Sequence, residues 1–428
     1  MLLQFSIGNC FSFKKIVTLS MVAASIHEHE DANTFTVANN LRLLKSAAIY
    51  GANASGKTNI FNAMTFMKIF AISSSKDSQA QEKIRVARFK LSSDTENEPS
   101  LVEVVFIHED SRYRYGFQVD ENKVHREWLF YVPNFRGAQR IRETRLFNRE
   151  QQTIELGENF KEGKDLEGKT RSNALFLSVA AQFNGLISQK VLSWFKSFNI
   201  LSGLSDEGSW MYSMQKLKDP KFKDVMMSFI KRADLGIEDL SIEENQINPN
   251  NLPGNLPDPI KSAVSRNEKV LFFDFKSVHK KFNSDGSLAS LEKFKFDEEE
   301  SEGTKKYFAL SGPIIDTLQN GKILLVDELD SRLHPLLSQY IVELFNSSKT
   351  NTTNAQLIFA SHDINSLNHD KFRRDQVWFV EKDKQGATDL YALSDYKVRK
   401  DASFGKDYLS GKYGAIPFID RTEPLFQN

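Results

Sequence analysis

A glycine-rich stretch near the start of the chain, GANASGKTN at 51–59, is compatible with few local backbone structures. An apolar run at 46–50 precedes it, and apolar residues from Ile60 to Met67 follow at helical spacing, so the pattern predicts strand, tight turn and helix. A GxxxxGK[ST] stretch in that context wraps a phosphate group. A tight turn without a ligand is the alternative, and the flanking strand and helix disfavour it.

The residue types of this predicted phosphate-binding loop (P-loop) suit a nucleoside triphosphate. Gly51 and Gly56 let backbone N–H groups face phosphate oxygens, and the helix N-terminus adds its dipole. Lys57 places a cation on the β- and γ-phosphates, and Thr58 offers a hydroxyl to Mg²⁺. The other members of the predicted ATP-binding stretch are Asn53, Ser55 and Asn59.

Two acidic residues near the other end of the chain supply what hydrolysis requires. The apolar run Ile323–Val326 predicts a strand buried in a parallel sheet, and Asp327 and Glu328 follow it directly. In this Walker B arrangement Asp327 would hold the Mg²⁺ shell, and Glu328 would polarise the attacking water as general base. The alternative is that the two acids only cap the next helix.

Two more segments are predicted to belong to the nucleotide site because of their order along the chain. His362 follows an apolar strand pattern at 356–360 and would reach a γ-phosphate; a structural or helix-capping histidine is the alternative. Small polar residues begin a predicted helix before the Walker B strand, where free N–H groups and the helix dipole form an anion site. The residues concerned are Ser301, Gly303 and Thr304.

Composition narrows the class of protein. The 56 basic and 56 acidic residues give no bulk attraction for nucleic acid or anionic lipid. Cys10 is the only cysteine, which excludes an internal disulfide and a cysteine-built metal site. No apolar run is long enough to span a membrane and the first residues lack a secretory pattern, so we expect a cytoplasmic protein without a membrane partner.

The segment between the two motif-bearing ends has its own patterns. Residues 101–156 predict antiparallel strands, 186–240 predict helices, and the polar, proline-bearing stretch 245–259 predicts a loop. A short strand at 270–275 and a hairpin turn at 282–286 follow. Since no heptad repeat is sustained, we expect no long coiled-coil arm.

One predicted strand carries alternating arginines and tyrosines. Arg112 and Arg114 share one face and Tyr113 and Tyr115 the other, because strand side chains alternate. The basic face is either simply solvated or part of a patch that lies along a phosphate backbone. The further arginines of such a patch would be Arg126, Arg140 and Arg142.

The order of these motifs, with ELDSRLHP at 328–335 after the Walker B strand, resembles the ATP-binding cassette (ABC) ATPases of the SMC, RecF and OLD type. The opening stretch 1–13 is similar to that group's first strand and the turn beside the adenine, where Phe11 or Phe13 would lie. Within the group, the chain is similar to stand-alone bacterial ATPases of abortive-infection and antiphage operons, called AbiL-like, RloA-like or, in PARIS systems, AriA-like. The stretches that carry this likeness are 17–22, 174–178, 372–383 and 408–417.

The resemblance implies an α/β fold, namely an ABC-type P-loop NTPase head with an antiparallel β lobe and a helical insertion. We expect an N-terminal ATPase lobe at 1–185, a mainly helical insertion at 186–295 and a C-terminal ATPase lobe at 296–428. The resemblance also implies a head-to-tail homodimer with two ATP·Mg²⁺ between the subunits, and allows higher oligomers of such dimers.

The resemblance assigns further roles. Asp330 and Ser331 would belong to the D-loop that couples the two sites, and His362 matches the switch histidine. Gln182 is the best match for the Q-loop glutamine, a metal ligand. The signature loop closes on the partner's γ-phosphate, and its usual Leu-Ser-Gly-Gly start is absent here. The residues that match it are Ser301, Gly303 and Thr304.

The function implied is an ATPase that acts as the sensor or switch of a bacterial antiphage system. It would control a separate effector, a nuclease or toxin from the same operon, after a trigger such as DNA or a phage protein. The alternative is a RecF- or SMC-like DNA-binding ATPase of repair or maintenance. Intrinsic nuclease activity and a transporter role are disfavoured, the former because no Asp-x-Asp pair follows Asp383 for a two-metal site.

Overall fold

The computed structural model describes residues 1–38, 41–77, 79–137, 142–203, 206–246, 271–399 and 402–418. The chain forms two compact units. Unit 1 comprises Met1–Leu204, Thr317–Ser331 and Ser338–Asn428, and unit 2 comprises Ser205–Asp316 and Arg332–Leu337. The P-loop, the Walker B acids and His362 thus share unit 1, whereas the predicted signature residues 301–304 belong to unit 2. None of the helices in the described ranges combines the length and apolar character that a membrane span requires.

The regular elements, in chain order, are these. The strands are β1 (Leu2–Gly8), β2 (Val17–Ser20), β3 (Thr34–Ala38), β4 (Leu41–Leu44), β5 (Ser46–Gly51), β6 (Ser100–His108), β7 (Ser111–Val119), β8 (Val124–Val132), β9 (Thr144–Glu150), β10 (Thr153–Leu156), β11 (Phe198–Ser202), β12 (Ile237–Gln246), β13 (Leu271–Phe282), β14 (Leu288–Lys295), β15 (Ile323–Asp327), β16 (Gln356–Ala360), β17 (Val377–Lys382) and β18 (Thr388–Ala392). The helices are α1 (Glu30–Asn33), α2 (Lys57–Ser73), α3 (Phe176–Gln182), α4 (Leu186–Lys196), α5 (Glu207–Leu217), α6 (Pro220–Lys231), α7 (Phe296–Glu299), α8 (Glu302–Asn320), α9 (Pro335–Asn346) and α10 (Phe404–Leu409).

A six-stranded sheet in unit 1 positions the candidate site. Its order is β11-β15-β16-β5-β17-β18, and all neighbours are parallel except β18, which runs antiparallel to β17. Every residue of β5, β15 and β16 is buried, which explains their continuous apolar sequences. Because parallel strands end at the same edge, the P-loop, the Walker B acids and the segment of His362 meet there. The expected α/β P-loop ATPase fold is confirmed.

Unit 1 also contains a seven-stranded antiparallel sheet, in the order β10-β9-β8-β7-β6-β1-β2, and a separate antiparallel pair of β3 and β4. Tyr113 and Tyr115 are buried, as the alternation predicts. Arg112 donates to Glu143 at 3.0 Å, and Arg114 pairs with both Glu143 (2.9 Å) and Glu103 (3.2 Å). These arginines are therefore neutralised within the sheet. Of the other predicted patch residues, Arg126 pairs with a carboxylate at 3.2 Å, and Arg140 lies outside the described residues.

The segment expected to be a helical insertion divides between the two units. Helix α4 contacts α2 and β6, and β11 joins the six-stranded sheet beside β15. Unit 2 then contains α5, α6 and the three-stranded antiparallel sheet β12-β13-β14. The predicted hairpin turn is present, with Gly286 in the left-handed region at φ 81°. Most of the predicted loop at 245–259 lies outside the described residues.

Candidate nucleotide-binding site

The P-loop leaves β5 at Gly51 and enters α2 at Lys57. Gly51 must lack a side chain, because a Cβ there would lie 2.4 Å from the Val380 carbonyl oxygen and 2.6 Å from Ser55 Oγ. Gly56 caps α2 at φ 112°, a conformation that disfavours every other residue. The glycines are thus required by backbone geometry at the two ends of the loop, as the motif predicts.

Two hydroxyls support this loop from outside the motif. The Thr388 hydroxyl donates to the Ser55 carbonyl oxygen at 2.8 Å and lies 2.8 Å from Ser12 Oγ. Ser12 Oγ also accepts from the Asn59 side-chain amide at 2.8 Å. A Cβ on Gly56 would approach both hydroxyls within 2.7 Å. Ser12 and Thr388 therefore hold the loop. Ser12 belongs to the opening stretch 1–13, whose likeness to the family concerned the adenine, and no motif includes Thr388.

Lys57 is the cation of the loop and is almost fully buried. Its ammonium donates to the carbonyl oxygens of Gly51 (2.8 Å) and Ala52 (3.1 Å). Burial lowers the pKa of Lys57, and the nearby carboxylates of the Walker B segment oppose that shift. The ammonium is therefore directed at the loop by backbone oxygens and held close to compensating negative charge.

Asp327 ends β15 and lies beside Thr58. Burial raises the pKa of the Asp327 carboxyl, whereas the Thr58 hydroxyl hydrogen bond and the Lys57 charge lower it. The Oδ1 atom of Asp327 is buried and has no hydrogen-bond partner among the described residues. A hydroxyl and a carboxylate oxygen in contact, with one oxygen unsatisfied, suit a hard divalent cation such as Mg²⁺. Thr58 and Asp327 are thus the residues that would hold it.

Glu328 occupies a strained backbone position directly after Asp327. Its φ is 54°, in the left-handed region that glutamate rarely adopts. Gly203, one residue beyond β11, makes this possible, because a Cβ there would lie 2.4 to 2.7 Å from the Asp327 and Glu328 backbone oxygens and Glu328 Cβ. The backbone therefore turns sharply at the residue predicted as general base. The backbone N–H of the next residue, Leu329, donates to the Ala360 carbonyl oxygen at 3.0 Å.

His362 follows β16 and lies with the P-loop lysine and the acidic segment. The backbone N–H of His362 donates to Asp330 Oδ2 at 3.1 Å. Partial desolvation and the Lys57 charge lower the pKa of the His362 imidazole, while Asp330, Glu328 and Asp327 raise it. Asp330, which the resemblance placed in the D-loop, therefore connects the Walker B segment to the histidine segment.

A groove of about 950 Å³ opens beside the loop within unit 1. Its walls include residues 53–55 of the loop, His362, the last two residues of α10 (408–409) and residues 415–418. The volume is in the upper part of the range typical of small-molecule sites. The P-loop thus borders a space large enough for a nucleotide.

The predicted signature segment is a capped helix start in unit 2. Ser301 Oγ accepts the backbone N–H of Thr304 at 3.1 Å and lies 2.9 Å from the Thr304 hydroxyl. This is the N-cap interaction that polar residues supply at the first turn of a helix. A Cβ on Gly303 would lie 3.0 Å from the Arg332 carbonyl oxygen and 3.7 Å from Ser301 Oγ.

The structure does not bring Gln182 to the P-loop. Gln182 is exposed at the end of α3, and Ser178, one turn earlier, accepts the backbone N–H of Ser75 at 3.2 Å. Ser75 lies just beyond the far end of α2, about 25 Å from Lys57 at 1.5 Å per residue. Since one further helical turn spans about 5 Å, the Gln182 side chain stays remote from Thr58 and Asp327.

The aromatic residues expected near the adenine also differ in placement. Phe13 is fully buried in the core of unit 1, so its ring is not available for stacking. Phe11 is half-buried at φ 51°, and its backbone N–H donates to the Ala87 carbonyl oxygen at 2.6 Å. Of the two, only Phe11 retains an accessible face.

The fold and this edge of the sheet define a P-loop ATPase: a strand, glycine loop and helix with a buried lysine, together with Walker B acids on β15, a parallel strand separated from β5 by β16 alone. The chain belongs to the family described as "AAA domain, putative AbiEii toxin, Type IV TA system", whose model matches residues 46–368. That match includes the P-loop, both Walker B acids and His362.

Solved structures with similar architecture are remote in sequence. The SMC head domain from Thermotoga maritima is 13% identical, with 91% of this chain and 98% of that chain covered and a TM-score of 0.39. A RecF–ATP structure is also 13% identical, with coverages of 91% and 97% and a TM-score of 0.36. For cbiO1 of Clostridium perfringens, part of an ABC transporter complex, the identity is 10%, both coverages are 89% and the TM-score is 0.28. TM-scores this low carry no inference about the function of this chain. No curated protein matches its sequence significantly.

Proposed function

We propose that this ATPase is the nucleotide-driven switch of a bacterial antiphage system, in which ATP closes a homodimer and thereby controls a separate toxic effector. The family description names a type IV toxin–antitoxin system and a putative toxin, which supports a role in such systems. A switch subunit requires two states with different affinity for a partner, and nucleotide-dependent dimerisation supplies them.

The observation that carries the proposal is the set of hydrolytic side chains at one sheet edge. Lys57 binds the β- and γ-phosphates, and the loop N–H groups satisfy the phosphate oxygens. When bound, Mg²⁺ supplies further neutralisation of the phosphate charge. Glu328 orients the attacking water and accepts its proton, and His362 contacts the terminal phosphate. A site that only binds nucleotide has no need of the last two residues.

The proposed dimerisation is supported by the placement of the remaining anion-binding group along the chain. The capped start of α8 belongs to unit 2, whereas the P-loop and Walker B acids belong to unit 1. We infer that this helix start binds the terminal phosphate of the partner's nucleotide, so that each of the two sites is completed in trans. Hydrolysis then removes the bridging phosphate and reopens the dimer.

We infer that the effector is a separate chain, because a two-metal nuclease needs several converging carboxylates and no Asp-x-Asp pair follows Asp383 in the sequence. Release or capture of the effector would accompany closure of the dimer. The trigger that starts this cycle would be DNA or a phage protein.

The test is the mass of purified Glu328→Gln protein with and without ATP·Mg²⁺, alone and with the product of the neighbouring gene. We expect an ATP-dependent dimer or larger assembly that recruits or sheds the neighbour. Lys57→Ala in the same background is the matched control and should stay in its nucleotide-free state. An unchanged mass in every condition would refute the switch.

A further inference from the structure

Unit 2 contains a buried polar cluster outside the P-loop site. Ser277 and His279 are two residues apart and so share one face of β13. The Ser277 hydroxyl donates to Glu300 Oε1 at 2.5 Å, and His279 Nε2 lies 2.7 Å from the same oxygen. Ser277 is fully buried and the Glu300 side chain is 8% exposed. We call these three residues the β13 clamp.

The geometry of the β13 clamp excludes a nucleophilic relay. In such a relay histidine uses one ring nitrogen for the serine and the other for the carboxylate. Here Nε2 faces both Ser277 Oγ (3.2 Å) and Glu300 Oε1 (2.7 Å). The hydroxyl moreover donates directly to the carboxylate, so it is not activated for attack. Two donors converging on one buried carboxylate instead fix the position of Glu300.

Glu300 immediately precedes Ser301, the N-cap of α8. An aromatic contact holds the same region, because Phe275 of β13 stacks on Phe296 at 4.4 Å and approaches Phe308 of α8 at 4.8 Å. Side chains on one face of β13 therefore contact both Glu300, two residues before α8, and Phe308 in the second turn of α8. The position of this helix start depends on the three-stranded sheet.

We propose that Ser277, His279 and Glu300 are positioning residues that hold the start of α8 in the geometry that binds the partner's terminal phosphate. This inference rests on the proposed function, in which that helix start acts in trans. The clamp lies in unit 2, so its loss should leave nucleotide binding to the P-loop of unit 1 intact. It should weaken only the step in which two subunits close.

The first experiment compares Glu300→Ala and Glu300→Gln in the Glu328→Gln background. We expect ATP affinity within about twofold of the parent in both, and for Glu300→Ala an ATP-dependent dimer weakened by about tenfold or more, as loss of charge-assisted hydrogen bonds predicts. The Gln side chain keeps an oxygen acceptor for both donors and should recover most of the dimer. Ser290→Ala, on the exposed strand β14, is the control and should change neither quantity.

The second experiment distinguishes positioning in trans from a folding defect. Glu300→Ala chains with an intact Glu328 are mixed with Lys57→Ala chains, and ATP turnover is measured. Each mixed dimer has one site with an intact lysine and an intact helix start, so random pairing restores up to about a quarter of wild-type turnover. A misfolded variant restores none.

The outcomes separate the inference from the proposed function. If Glu328→Gln alone does not dimerise with ATP, the proposed function fails and the inference fails with it. If it dimerises and Glu300→Ala dimerises equally well, only the β13 clamp is refuted. Weak dimerisation without turnover in the mixture would also overturn the clamp, since it indicates damage to unit 2 itself.

Discussion

Thr388 is the residue outside the motifs whose role in nucleotide binding is most directly testable. Its hydroxyl, buried on β18, donates to the Ser55 carbonyl oxygen and contacts Ser12 Oγ, each at 2.8 Å. Thr388→Val keeps the shape and burial of the side chain but removes the donor. The P-loop then loses a fixed point directly beside Gly56, whose backbone conformation the loop requires.

The magnitude follows from the bonds removed. One net hydrogen bond is worth about 1 kcal/mol, and the lost contact with Ser12 adds a similar or smaller amount. The free loop relaxes into other conformations, whereas the nucleotide-bound loop does not, so the loss falls mainly on binding. An affinity penalty of about 1–2 kcal/mol corresponds to a Kd raised about 5- to 30-fold.

The assay is calorimetric titration of ATP·Mg²⁺ into Glu328→Gln protein, which avoids turnover. Thr388→Ser restores the hydroxyl and is the matched control, expected to bind within about threefold of the parent because its donor is retained. Thermal unfolding should change little in either variant. If Thr388→Val binds ATP as tightly as Thr388→Ser, the hydroxyl does not support the loop and the reasoning is wrong.

Three further outcomes are expected. Lys57→Ala should abolish detectable ATP binding in the same titration, because the phosphates lose their buried cation. Gly203→Ala should lower kcat by about 10- to 100-fold with little change in ATP affinity, since its Cβ displaces the Glu328 backbone; equal losses in kcat and affinity would contradict this. Arg149→Met should lower the free energy of unfolding, measured in urea, by about 3–5 kcal/mol, because the fully buried carboxylate of Glu127, 3.6 Å away, loses its counter-charge. The double variant Arg149→Met/Glu127→Gln should recover much of that stability, because it no longer buries an unpaired charge. Burial already raises the pKa of Glu127 in the folded protein. A carboxyl whose pKa is raised on folding stabilises the folded state at low pH, where it is protonated, and this stabilisation is lost as the pH rises through the folded-state pKa. The destabilisation by Arg149→Met should therefore be larger at about pH 8 than at about pH 5.

Contiguous motifs made much of this fold predictable from the sequence. The P-loop and Walker B patterns each place their chemistry within a few residues of a buried strand, and the parallel sheet then brings Lys57, Asp327 and His362 to one edge. The alternation at 112–115 correctly predicted which side chains are buried, because period two is a direct property of a strand. These features depend on local sequence.

Single supporting residues were not predictable in this way. Gly203 and Thr388 act from two distant positions, and neither carries a pattern that distinguishes it from ordinary turn or strand residues. Ser12 lies in the stretch 1–13 that resembles the family's turn, but that likeness predicted a contact with the adenine and not support of the P-loop. Strand β11 has only five residues and lies between two helices, so the helical pattern predicted for 186–240 did not reveal it. For Gln182 the resemblance led to a wrong placement. Its order in the sequence suggested a metal ligand beside the P-loop, but the contact of Ser178 with Ser75 holds α3 at the far end of α2.

The charges at the sheet edge favour binding of metal and nucleotide together. Burial shifts the pKa of Asp327 upward and that of Lys57 downward, so the ionised form of each is only partly compensated by its neighbours. A phosphate alone would satisfy Lys57 but add negative charge next to Asp327, Glu328 and Asp330. A divalent cation alone would satisfy Asp327 but add positive charge next to Lys57. Each ligand therefore offsets the repulsion that the other introduces, and the affinity for either should rise when the other is present, as the reciprocity of coupled binding requires.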